Sequence, residues 1–136
     1  MEDKVYLFDA SAIVNLIKKG SMKAFIKGFS LNLALYETMN AIWKEHKFGK
    51  IDEKTALEYI EVLTMVFKLF EILSIGGYEK EVFKLAAKEE LTIYDASYLF
   101  LAIKNKLILV TDDEKLKNKS LKYIKVLNSK DIEIKF

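Results

Sequence analysis

The feature that most narrows the fold is a handover from strand to helix that occurs twice. Residues 5–8 (Val-Tyr-Leu-Phe) form a short apolar run that ends on Asp9 and gives way to a helical pattern over residues 10–18. Residues 107–110 (Leu-Ile-Leu-Val) form a second run that ends on Thr111, Asp112 and Asp113 and leads into a short helical stretch at 113–117. Unbroken apolar runs of this length read as strands buried on both faces, because a half-solvated strand would alternate. Between them the pattern is helical: a short second helix at 22–29, then 33–47, then a long helix at 52–73 with Asp52 as its N-cap. Gly76 and Gly77 break the pattern before helices at 78–89 and 92–104. Residues 123–127 read as a third strand and 132–136 as a fourth, at an edge. No tight-hairpin pair of the Asn-Gly kind is present. Strands alternating with helices predict an α/β fold with a central parallel sheet flanked by helices in three layers. Ligands of such sheets gather outside the carboxyl ends of the strands, which is where Asp9 and the Asp112-Asp113 pair fall. With no linker, repeat or low-complexity block, residues 1–136 are expected to form one domain.

Composition excludes several classes. A chain that is 51% hydrophobic and 31% charged is not disordered. With no Cys and a single His, disulfide frameworks and thiolate or multi-imidazole metal sites are ruled out. A reducing, cytoplasmic setting is expected. All 22 basic residues are Lys, yet the net charge is only +2. That is too little for a strong non-specific nucleic-acid binder, but it permits an acidic site within a Lys-rich surface. Residues 1–4 lack the basic segment of a signal peptide. No stretch of about 18 residues is free of charge, so no membrane span is expected. His46, near a helix end, is expected to be exposed and without catalytic role. Trp43 and the Phe and Tyr residues are expected in the core rather than as base-stacking platforms.

Four acids stand out. Asp9 follows the first strand in Phe-Asp-Ala-Ser. Asp95 lies in Thr-Ile-Tyr-Asp-Ala, three residues after Thr92. Asp113 closes Val-Thr-Asp-Asp. Each has a plain structural reading as a cap or first-turn acid, and both readings stay open at this level. Glu37 is harder to explain structurally. Its helical neighbours are Leu33, Ala34, Asn40 and Ala41, a face that is small or apolar apart from one amide. A carboxylate buried there must be paired, protonated or bound to a cation.

The ordered series of strand-Asp-x-Ser, Glu-x-x-Asn on a helix, Tyr-Asp-Ala opening a later helix and strand-Thr-x-Asp resembles the PIN-domain family over nearly the whole chain. It looks most similar to the toxin ribonucleases of VapBC-type toxin–antitoxin pairs. The resemblance implies a metal-dependent endoribonuclease with Mg²⁺ or Mn²⁺ as cofactor. It implies Asp9, Glu37, Asp95 and Asp113 as catalytic, metal-binding acids, with Ser11, Asn40 and Thr111 as supporting polar residues. Asp112 is a second candidate for the fourth acid. An RNA substrate, an antitoxin protein and a homodimeric state are the implied partners.

The chemistry suits the residues. Phosphodiesters are anionic, and a divalent cation polarises the phosphoryl oxygen and activates bound water. Hard cations prefer oxygen ligands, and clustered carboxylates without a cation repel one another. Lys44, Lys115 and Lys117 are candidate contacts for RNA phosphates. The helix around 58–71 has an apolar arc wider than one core-facing stripe needs, so part of it is expected to meet another helix or another chain. A receiver-type phosphoacceptor domain would need an acidic pair after the first strand, where this chain has one Asp. Two alternatives remain: a non-catalytic RNA-binding or scaffold protein of the same fold, and an RNA-processing nuclease outside a toxin–antitoxin system.

Overall fold

The computed structural model describes residues 5–135, apart from the side chains of Lys27 and Lys135. Its parallel sheet has five strands: β1 (Tyr6–Phe8), β2 (Gly28–Leu31), β3 (Glu71–Leu73), β4 (Ile108–Val110) and β5 (Val126–Leu127). The helices are α1 (Ala10–Lys18), α2 (Asn32–Lys47), α3 (Glu53–Leu69), α4 (Glu79–Glu89), α5 (Ile93–Asn105), α6 (Glu114–Ser120) and α7 (Ser129–Lys135). The three-layer α/β arrangement expected from the sequence is the one observed. α1 packs on α2, α3 and α7, whereas α5 packs on α4 and α6, so the helices fall into two groups. Leu7, Phe8, Leu109 and Val110 are fully buried, as central strands covered on both faces must be.

Strand order is β3-β2-β1-β4-β5. The chain places β2 and β3 on one side of β1, then crosses to lay β4 and β5 on the other. The order therefore reverses between β1 and β4, and in sheets of this kind the crevice that takes ligands lies at such a reversal, outside the carboxyl ends of the strands. β1 and β4 are in register from Tyr6 opposite Ile108 to Phe8 opposite Val110. Asp9 and Thr111 thus leave the sheet side by side.

Four expected elements are corrected. Residues 22–29 are not a helix: a 3-10 turn at Lys23–Lys27 runs into β2. Gly28 lies in extended backbone against an aromatic cluster in which the Phe8 ring centroid is 5.3 Å from Phe25 and 5.7 Å from Phe70. The long helix at 52–73 stops at Leu69, and β3 follows directly. Its apolar residues continue the helical spacing into the strand, so periodicity alone cannot mark the change. The edge strand at 132–136 is instead α7. Asn128 Oδ1 accepts from the Asp131 amide at 2.9 Å, and Asp131 Oδ2 accepts from the Asn128 amide at 3.0 Å. This reciprocal cap starts a helix with Ile132 buried and Ile134 86% exposed. Phe136, and the reading of residues 1–4, lie outside the described residues. The strand expected at 123–127 is reduced to Val126–Leu127, because Tyr123 turns to donate its hydroxyl to Glu89, which also takes Lys122.

Two surface expectations change as well. Trp43 is not core: it is 53% exposed on α2, with the Lys47 ammonium 5.1 Å from its ring centroid. Tyr36, Phe48, Phe83 and Tyr94 are exposed too. On α3, Leu57, Met65 and Leu69 are exposed, so this helix is not covered wholly by its own chain. Phe67 packs edge-on against Phe70 at 5.3 Å. Among the described residues no helix is long and apolar enough to cross a membrane.

Gly28 has no room for a side chain. A Cβ there would meet Phe70 and Phe8 ring carbons, each at 2.8 Å. Gly28→Ala should destabilise the protein by about 1–3 kcal/mol through overpacking. Urea unfolding should show this as a lower midpoint at unchanged slope; an unchanged midpoint would show that the aromatic cluster yields freely.

Candidate active site

The site is built from chain exits and helix starts. Asp9 is the N-cap of α1: its Oδ1 accepts from the Ala12 amide at 3.0 Å and from Ser11 Oγ at 2.7 Å. Its Oδ2 accepts from the Thr111 hydroxyl, which joins the ends of β1 and β4. Ser11 Oγ and Thr111 Oγ1 lie 3.3 Å apart. Each hydroxyl has one proton, and both protons point at Asp9, so this is a contact between two acceptors already spent as donors. A carboxylate offers about four lone-pair positions. Three are taken here, and one, on Oδ2, is left.

Asp9 is 5% exposed, and burial pushes its carboxyl up to about 6. The bonds from Thr111, Ala12 and Ser11 pull the other way without cancelling it, and the nearby Asp112 adds to the rise. Glu37, half-buried on α2, is also raised by burial, against the bond it accepts from the Tyr98 hydroxyl at 2.8 Å. Asp95, half-buried in the first turn of α5, is raised first by burial, then by Asp113 and by Glu37, while Lys115 lowers it. Tyr98 lies one turn beyond Asp95, 1% exposed. Its hydroxyl is driven far above the ordinary phenol range by burial and by Glu37, Asp9 and Asp95, so it remains a donor. The four acids thus come from β1, α2, α5 and the end of β4, and Asp9, Glu37 and Asp95 all act on one phenol.

The two adjacent aspartates separate by role. Asp113 is exposed, N-caps α6 through the Leu116 amide at 2.9 Å, and faces Asp95 electrostatically. Asp112 is a strut: its carboxylate accepts from Asn15 Nδ2 at 2.6 Å and from the Ser129 amide at 2.7 Å, tying α1 to α7. The Asp112 and Asp113 amides donate to Ser11 Oγ and Thr111 Oγ1, at 2.9 and 3.0 Å. Ser11 and Thr111 therefore join the cluster as expected, and Asn40 does not. It is exposed and makes no hydrogen bond to the cluster among the described residues. His46 caps a loop, with Nδ1 at 3.2 Å from the Ile51 carbonyl, away from the acids. Tyr98 was missed at the sequence level. The available signal was its position three residues after Asp95, on the same helix face.

Among the described residues no group of three or more acidic or imidazole side chains stands close enough to cage a metal unaided. The donors near the crevice are nonetheless all oxygens, one of them a desolvated carboxylate with a lone pair to spare. That set fits a hard divalent cation that keeps several of its own waters, as Mg²⁺ does.

A family model for the PIN domain matches residues 6–121. The chain is similar to Exonuclease VapC9 of Pyrobaculum aerophilum, with 36% identity over 113 residues, or 82% of each chain. It is also similar to Ribonuclease VapC3 of the same organism, with 38% identity over 90 residues, or 66% of this chain and 69% of that one. Among solved structures it resembles the crystal structure of PAE2754 from Pyrobaculum aerophilum, with a TM-score of 0.82 and 32% identity, covering 98% of this chain and 97% of that one.

The raised Asp9 carboxyl makes stability depend on pH. A carboxyl whose folded pKa exceeds its unfolded value stabilises the fold below the unfolded pKa, and this contribution is lost as pH rises through the folded one. For Asp9 that window runs from 3.8 to about 6. Without metal the group should cost about 3 kcal/mol of stability by neutral pH, at 1.36 kcal/mol per pH unit. Asp9→Asn, which keeps an N-cap acceptor, should therefore melt higher than wild type at pH 7 in chelator, with the gap closing near pH 4. Thermal unfolding across that range checks this. A mutant that melts lower at pH 7 would mean that the carboxylate is a net stabiliser there.

Proposed function

The chain belongs to the PIN-domain family, and from its site we propose that it is a metal-dependent endoribonuclease that hydrolyses RNA phosphodiesters, the toxin of a toxin–antitoxin pair. The carrying observation is the bond from the buried Tyr98 hydroxyl to Glu37, beside Asp9 capping α1 at the exit of β1, with Glu37 and Asp113 both raising Asp95. A half-buried carboxyl raised by burial and by two neighbouring acids, as Asp95 is, marks a site rather than a surface charge. The relatives are named as an exonuclease and a ribonuclease. We favour internal cleavage because Glu37 and Asp95 are half-exposed and Asp113 is exposed, leaving a strand of RNA room to lie across them.

In this reading Asp9, Glu37, Asp95 and Asp113 hold Mg²⁺ or Mn²⁺, with Ser11 and Thr111 orienting Asp9 and Asp112 bracing the loop. The cation would supply charge for the phosphoryl oxygens and an activated water. Asp9 presents its remaining lone pair on Oδ2 with the other three positions held by the fold. Lys115, close enough to lower Asp95, is placed to meet an RNA phosphate. Lys117 borders a polar cavity of about 350 Å³ that adjoins Thr111 and is flanked by Lys19 and Lys130, a second approach for phosphates. A chain without Cys suits the cytoplasm.

Asp95→Asn should reduce Mn²⁺-dependent cleavage by at least about 100-fold while RNA binding persists. The substrate should be a closed circular RNA, which has no ends, assayed with Mn²⁺ and with chelator. Cleavage indifferent to both chelator and mutation would sink the mechanism, and cleavage confined to linear RNA would make the enzyme an exonuclease.

The exposed apolar face of α3 is expected to be covered by a second copy of the chain, with the antitoxin on the neighbouring α2–α3 groove, about 460 Å³ and lined by Met39, Ile42, Trp43 and Leu57. Met65→Glu should convert a dimer to monomer in sedimentation without lowering the melting temperature of the monomer. Phe67→Glu should unfold the chain instead, because Phe67 packs on Phe70. Wild type that sediments as a monomer would remove the dimer from this reading.

A further inference from the structure

We propose that Tyr98 is a positioning residue of this site: its buried hydroxyl holds the Glu37 carboxylate in the orientation the site uses, joining α2 to α5 across the crevice. The inference rests on the reading of Glu37 as a site residue.

Tyr98 is 1% exposed. A phenol this deep needs a partner for its hydroxyl, and it has one: Glu37 Oε1 at 2.8 Å, across 61 residues of sequence. Among the described residues this is also the one hydrogen bond that Glu37 receives. Burial costs a carboxylate unless something replaces the lost water, so the phenol offsets part of the cost of placing Glu37 there. It does so with one neutral donor and no countercharge. A Lys or Arg in that place would neutralise Glu37 and compete with a cation for it; a tyrosine orients the carboxylate and leaves its charge intact. The bond takes one of the carboxylate's roughly four lone-pair positions, so Oε2 and the second position on Oε1 remain open.

The location supports the same reading. α2 belongs to the helix group around α1, and α5 to the group with α4 and α6. Glu37 and Asp95 therefore come from opposite sides of the sheet, and their separation depends on how the two groups sit. Tyr98 is on α5 one turn from Asp95 and bonds Glu37 on α2, so a single side chain links the positions of both acids. Packing alone would be satisfied by phenylalanine, which fills nearly the same volume.

The test uses the full-length chain in four forms: wild type, Tyr98→Phe, Glu37→Gln and the double mutant. Cleavage kinetics and direct Mn²⁺ titration are measured on each. Tyr98→Phe is expected to lower kcat by about 10-fold or more and to weaken Mn²⁺ binding several-fold, the usual effect of removing a residue that orients a metal ligand. The KM for RNA should stay within about two-fold, because a positioning defect falls on the reacting geometry rather than on substrate binding. In the Glu37→Gln background the Phe substitution should cost little more, since its effect passes through Glu37. Glu37→Asp, which withdraws the carboxylate from the phenol by one methylene, should reproduce the Tyr98→Phe defect and decides the matter if Tyr98→Phe does not fold.

Wild-type kcat and Mn²⁺ affinity in Tyr98→Phe, full additivity in the double mutant, or a wild-type kcat in Glu37→Asp would each overturn the inference. An impaired Glu37→Gln beside an unimpaired Tyr98→Phe removes this inference and leaves the nuclease reading standing. A wild type that binds Mn²⁺ but cleaves no RNA removes the nuclease reading, and the variants' Mn²⁺ affinities then decide the role of Tyr98. A wild type that neither binds nor cleaves overturns both.

Discussion

A carboxylate withdrawn from water at the end of the central strand is worth keeping only if the fold around it is arranged to hold it. Asp9 accepts from the Ala12 amide, from Ser11 and from Thr111. The first bond starts α1, and the third binds the end of β1 to the end of β4 at the point where strand order reverses. The Asp112 and Asp113 amides then use the same two hydroxyls as acceptors. In this way the loop after β4 is set from one buried group, α6 begins from that loop, and α7 is tied to it through Asp112 and the Ser129 amide. The acid that most needs a compensating partner is thus the one on which the local architecture converges.

The capping and site readings of the acids were alternatives in the sequence; the structure shows the capping role of Asp9 and Asp113, and the proposed function gives the same carboxylates a second one. At Asp95 the cap belongs to Thr92, which accepts from the Asp95 amide at 3.0 Å and leaves the carboxylate unused by the helix. The distinction has a physical basis. A cap needs one oxygen aimed at one or two amides, and the helix dipole favours the charge. Neither demand consumes the whole carboxylate, so an acid can start a helix and still present an oxygen to the crevice. On the proposed reading stability and chemistry then share residues: burial raises Asp9, Glu37 and Asp95 alike, and neighbouring acids add to the rise at Asp9 and Asp95.

Much of this was legible because it depends on local chemistry. The runs at 5–8 and 107–110, the helices after them and the Asp at each exit are short-range signals, and the structure sets the two exits side by side. What escaped depends on tertiary context. β3 follows α3 without a glycine or proline, and its apolar spacing continues that of the helix, so only pairing with β2 reveals it. β2 is opened by a glycine whose role is to admit Phe8 and Phe70, a contact that spans the chain. α7 was hidden by the alternation of Ile132 and Ile134, of which only Ile132 is buried. Trp43 was assigned to the core on residue type, although its helix leaves that face uncovered. Within the site, Tyr98 looked like one more core aromatic, because the carboxylate that occupies its hydroxyl lies 61 residues away.

The acids are not held with equal firmness, and this bears on how the site can bind a cation. Asp9 is buried and bonded at three positions, and Asp113 is fixed by its cap. Glu37 is held by one bond, and the Asp95 side chain accepts none among the described residues. The β1–β4 side is therefore held by more hydrogen bonds than the α2–α5 side. Mutual repulsion favours an open arrangement when the charges are uncompensated. A hard cation that retains water tolerates such a site, since water fills the coordination positions the protein leaves. On the proposed reading the more firmly bonded side would set where such a charge sits. The other side, with Tyr98 bonded to Glu37, would set how closely the remaining oxygens approach it.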